Sequence, residues 1–161
     1  MKEIKKIIVI GHSGYTSATA AFTEKLIITP RYIWFKHSPF MSDDPEFRPD
    51  PNNEMYSWKY ESNQPSYRNF FELVSHMIQQ AIKSAEDYRM VMDAGTIDYE
   101  IQYSDGTKEK FHWRNGGNLD EDIIKLIRQY APSAHPIPNL LWLDSDWEGE
   151  EDDDYDEFDE D

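Results

Sequence analysis

The chain has 161 residues, no cysteine and a formal charge of −16. That length suits one domain with a real hydrophobic core and is short for two. The lack of cysteine excludes disulfides and thiolate metal sites, and it fits a reducing, cytoplasmic setting. The apolar run from Ile7 to Ile10 follows Lys2, Lys5 and Lys6 but ends at Gly11 and His12, too early for a signal-peptide core, and no other stretch approaches a membrane span.

In chain order, Glu3 to Ile10 is rich in β-branched residues and reads as a strand buried on both faces at its apolar end. Gly11 to Ala18 is expected to break it, the glycines serving a turn that needs permissive backbone. Lys25 to Thr29 and Tyr32 to His37 form two strands around Pro30 and Arg31, a hairpin. Ser38 to Glu54 is a long surface loop, with Pro39, Pro45, Pro49 and Pro51 set among Asp43, Asp44, Glu46, Asp50 and Glu54. Met55 to Tyr60 adds an edge strand. A helix follows, capped by Ser66, in which Phe70, Phe71, Val74, Met77, Ile78, Ala81, Ile82 and Ala85 recur at three- and four-residue spacing and define a buried face.

Thr96 to Tyr103 alternates Ile97, Tyr99, Ile101 and Tyr103 with Asp98, Glu100 and Gln102, then returns through Thr107 to Trp113. A two-residue Asp-Gly turn would set Ile101 opposite Lys110 and mix the faces. A three-residue loop with Gly106 left-handed pairs Ile97 with Trp113, Asp98 with His112, Tyr99 with Phe111 and Glu100 with Lys110, and that register is the expected one. A second helix starts from Asn118 as cap, with Asp120 and Glu121 beside it, and carries Ile123, Ile124, Ile127 and Tyr130 until Pro132 stops it. The expected fold class is α+β, an antiparallel sheet with two helices on one face.

Charge divides the chain. Asp144 to Asp161 holds thirteen acidic and no basic residues, so residues 1–143 carry the other 19 of 32 acids and all 16 bases, a balance of −3. A block of this kind repels itself and cannot cover a core, so a domain over 1–143 and an acidic tail over 144–161 are expected.

Catalytic motifs fail on spacing. Gly11-His12-Ser13-Gly14 lacks the G-x-S-x-G spacing of a nucleophile elbow, Tyr15 standing where the second glycine belongs, and no lysine follows to make a phosphate loop. Asp144, Asp146 and Glu148 before Gly149 resemble the opening of a calcium loop, but the twelfth position is Tyr155. His12, His37, His76, His112 and His135 show no ligand spacing. The expectation is a protein that is not an enzyme and needs no cofactor. The alternatives are an enzyme or small-ligand binder using the Gly11 to Ser17 loop, and a generic protein whose tail only solubilises it. The body shows no run of Lys or Arg, which disfavours direct contact with DNA or RNA.

In the tail, carboxylates alternate with rings: Asp144, Asp146, Trp147, Glu148, Glu150, Glu151, Asp152, Asp153, Asp154, Tyr155 and Phe158 are the candidate partner-binding residues. Charge steers a basic partner and aromatics anchor it. With the Asp/Pro loop and the α+β body, this run resembles the small acidic proteins with which phages and mobile elements block nucleic-acid enzymes, anti-CRISPR inhibitors among them. The resemblance implies a protein-binding inhibitor that imitates nucleic acid, whose partner is a basic, nucleic-acid-handling protein.

Overall fold

The computed structural model describes residues 3–13, 16–84, 96–113, 121–132 and 136–141. The elements are β1 (Ile4–His12), β2 (Phe22–Ile28), β3 (Tyr32–Pro39), β4 (Tyr56–Glu61), α1 (Pro65–Ser84), β5 (Thr96–Tyr103), β6 (Lys108–Trp113), α2 (Glu121–Arg128) and a short 3-10 helix, Asn139–Leu141. All strands pair antiparallel in one sheet of order β4-β3-β2-β1-β5-β6. The Ile-rich β1 therefore occupies an interior position with a partner on each side, as its continuous apolar run requires.

Strand alternation assigns every side chain to one of two faces. Ile7, Ile28 and Ile33 form one row of the core face, and Val9, Leu26, Phe35, Trp58, Tyr99 and Phe111 form the next. Tyr67, Phe70, Phe71, Val74 and Ile78 of α1, Ile123, Ile124 and Ile127 of α2, and Leu140 and Leu141 join them in a single buried cluster. Both helices thus cover the same face, and the α+β architecture read from the pattern is the one found.

The β5–β6 hairpin has the expected register, Ile97 to Trp113, Asp98 to His112, Tyr99 to Phe111 and Glu100 to Lys110. Gly106 sits at φ 87°, its N–H donating to the Tyr103 carbonyl at 3.1 Å, while Asp105 Oδ1 accepts the Thr107 N–H at 2.9 Å. The β2–β3 hairpin closes over Pro30 and Arg31 with Thr29 N–H on the Tyr32 carbonyl.

Two local expectations are corrected. Ser66 is not the cap of α1: the helix begins one residue earlier with Pro65, whose fixed φ suits the first helical position, and the Gln64 carbonyl takes the first backbone bonds. Nor does Gly11 break β1, which runs on to His12 with Gly11 paired to Glu24 and Ile97. The reason for glycine is space: a Cβ there would lie 2.5 Å from Leu140 Cδ2. Gly14, the cap Asn118 and the whole of 144–161 lie outside the described residues.

Candidate interaction surfaces

Three features stand out, one buried and two exposed. The buried one lies at the sheet end marked by Gly11, Glu24 and His37, which are cross-strand neighbours on the core face. Glu24 is fully buried and its carboxylate accepts four bonds: from His37 Nδ1 at 2.8 Å, Asn139 N at 3.2 Å, Asn139 Nδ2 at 3.1 Å and Leu140 N at 2.9 Å. His37 Nε2 meets Asn53 Oδ1 at 2.7 Å, and Asn53 Nδ2 donates to the carbonyls of Thr19 and Ala21, both at 3.0 Å. Those two carbonyls fix the amide with its oxygen toward His37, so that oxygen accepts. Both ring nitrogens of His37 are therefore placed to donate, an arrangement that favours the imidazolium form.

Burial alone would lower the His37 pKa, but the bonds to Glu24 and Asn53 and the Glu24 charge outweigh it and raise the pKa above the ordinary value. Tyr56 stacks on the ring at 5.4 Å, and Phe22 meets it tilted at 5.0 Å. The cluster ties β2, β3, the loop and the 3-10 helix together. With every donor engaged by neighbours inside the fold, its role is structural.

The first exposed feature is the loop from residue 40 to 55. It is held in place: Phe40 N–H bonds Ala21 O at 2.8 Å, Asp50 N–H bonds Thr19 O at 3.0 Å, and Phe40 and Phe47 meet edge to face. Phe40, Met41 and Met55 are nevertheless exposed among Asp43, Asp44, Glu46, Asp50 and Glu54. The loop is thus an acidic surface with apolar anchors.

The second exposed feature is the sheet face away from the helices. The central row across it, from edge to edge, is Lys59, Trp34, Ile27, Ile8, Glu100 and Lys110; the next holds Ser57, Lys36, Lys25, Ile10 and Asp98. Lys6 and Lys108 flank Gln102 in a further row. Six lysines converge here from five strands, against the carboxylates of Glu61, Asp98 and Glu100. The open face thus carries lysines that form no run in the sequence, with Lys25 and Lys36 directly paired. A groove of about 310 Å³ crosses it between Ile8, Ile10, Asp98, Glu100 and Lys110.

The two halves of this face differ. Glu100 faces Lys110 across the strands and meets Lys108 at 3.8 Å, and Asp98 meets His12 at 3.1 Å. Lys25, however, stands directly opposite Lys36, and among the described residues neither reaches a carboxylate within 4 Å.

The remaining expectations can be placed. Ser13 Oγ accepts the Phe22 N–H at 3.1 Å, and His12 bonds Asp98, so these two are engaged separately. No group of three His, Asp or Glu that could hold a metal occurs among the described residues, and no helix there is long and apolar enough to cross a membrane. The tail candidates, Asp144 to Phe158, lie outside the described residues. Comparison with known proteins returns no matching family model, no matching curated protein and no matching solved structure.

Proposed function

We propose that this chain is a non-catalytic protein-binding module that occupies a basic groove of a nucleic-acid-handling protein and so inhibits it, in the manner of anti-CRISPR proteins that imitate nucleic acid. The observation that carries the reading is the partition of charge: thirteen carboxylates interleaved with Trp147, Tyr155 and Phe158 follow a body of −3. Carboxylates at this density set up a field like that of a phosphate backbone, and the rings supply the desolvated anchors that hold a complex once formed. The pinned loop with exposed Phe40, Met41 and Met55 among acids offers a second surface of the same chemistry.

The test is affinity for the partner captured from cell extract, measured on the full chain across a salt series. Binding should weaken steeply as salt rises, and single-stranded oligonucleotide should compete. Changing Glu150, Glu151, Asp152, Asp153 and Asp154 to their amides should slow association, while Trp147→Ala with Phe158→Ala should speed dissociation. A flat salt response with unchanged rates would reject polyanion mimicry.

A further inference from the structure

The sheet face that the helices leave open contains a local conflict. Lys25 and Lys36 are half-buried and directly opposed on adjacent strands, where like charges destabilise the pairing. Beside them lie Ile10, Ile27 and Trp34, and Lys59 stands across from Trp34. Elsewhere on this face cross-strand charges are complementary, so the conflict is confined to one half. Local rules are broken chiefly at functional or strained sites, and opposed lysines beside Ile27 and Trp34 fit an extended acidic segment carrying aromatic residues.

The chain contains such a segment, and the fold fixes where it starts. Glu24 holds Asn139 and Leu140, and Leu140 packs over Gly11, so the chain leaves Leu141 at the sheet end where Glu24 and His37 lie. Lys25 and Lys36 are the chain neighbours of those two residues and project from the opposite face. Residues 142–161 can span roughly 66 Å at about 3.3 Å each, whereas the five spacings of about 4.8 Å between six strands make the sheet roughly 24 Å across. Reach around the sheet end is ample.

We propose that residues 144–161 of the same molecule dock on the Lys25–Lys36 half of the open face in the absence of a partner. The carboxylates neutralise the opposed lysines and the rings cover Trp34 and Ile27. The face then acts as a holder for the tail, and a basic partner must compete it away. This rests on the reading of the tail as a polyanion, but it is tested without the partner, so the two can fail separately.

The experiment is carbodiimide coupling of lysines to carboxylates in the full chain at low salt, mapped by mass spectrometry of the monomer. Lys25 and Lys36 should couple to acids between Asp144 and Asp161, and the yield should collapse at 0.5 M salt, roughly three times the physiological ionic strength at which exposed charges already act over only about 8 Å. Coupling of these lysines only to Glu61, Asp98 or Glu100 would overturn the proposal, as would tail coupling found only between two copies. A fluorescent single-stranded oligonucleotide provides an independent reading. Amide substitution of Glu150, Glu151, Asp152, Asp153 and Asp154 should raise its affinity for the full chain by about tenfold, because a tethered competitor has been weakened. Tight oligonucleotide binding indifferent to those substitutions would make nucleic acid the occupant of the face and sink the tail.

Discussion

The two faces of the sheet obey different rules. On the core face the cross-strand rows are chemically consistent apart from Trp58, whose Nε1 is buried without a hydrogen-bond partner: Ile7 lies between Ile28 and Ile101, Val9 between Leu26 and Tyr99, and the polar row resolves, with Glu24 and His37 forming a buried ion pair whose remaining bonds are taken by Asn53, Asn139 and Leu140. On the open face Lys25 confronts Lys36. Consistency across levels specifies a fold, and departures from it mark places where something other than stability has shaped the residues. The core face therefore answers to stability measurements, and the role proposed for the open face to binding measurements.

The largest effect should come from the buried pair. Glu24→Ala removes the partner of a buried imidazolium and four bonds at once, and should cost about 3–5 kcal/mol in urea unfolding. A loss under 1 kcal/mol would show that the sheet end is held by other contacts. Next, Gly11→Val forces a branched side chain against Leu140 and should cost about 1–3 kcal/mol; Leu140→Ala in the same background should recover part of that loss. Gly106→Val should cost roughly 1 kcal/mol or somewhat more, through backbone strain at φ 87° rather than through contact. An unaltered midpoint would contradict the left-handed turn.

A pH effect accompanies these. The His37 pKa is raised in the folded state, so its contribution to stability is complete below the unfolded value of about 6.5 and fades as pH rises through the folded value. The unfolding midpoint should fall across that interval in the parent and change less in His37→Gln. Equal pH profiles would place the titration elsewhere.

Much of the fold was legible because it rests on short-range patterns. The β5–β6 register followed from alternation and one Asp-Gly turn, and the buried faces of α1 and α2 followed from Phe70, Val74 and Ile78 and from Ile123, Ile124 and Ile127. What stayed hidden depends on residues far apart in the chain. Gly11 resembled a turn glycine because the leucine that needs its space is residue 140. Glu24, His37 and Asn53 each read as ordinary polar positions until the sheet and loop brought them together. The lysine face was missed for the same reason: Lys6, Lys25, Lys36, Lys59, Lys108 and Lys110 make no run in sequence and gather only when five strands align. Ser66 has the residue preference of a cap, but Pro65 at the first helical position sets the start.

The contrast between the faces is tested most directly by where the tail spends its time. The chain has no cysteine, so Asp161→Cys provides a single attachment point for a paramagnetic label. In the full chain at low salt, the amide signals of Lys25, Trp34 and Lys36 should broaden while those of Val74 and Ile78 in α1 stay sharp, and 0.5 M salt should abolish the difference. Broadening that is uniform, or stronger on α1 than on β2 and β3, would contradict the account.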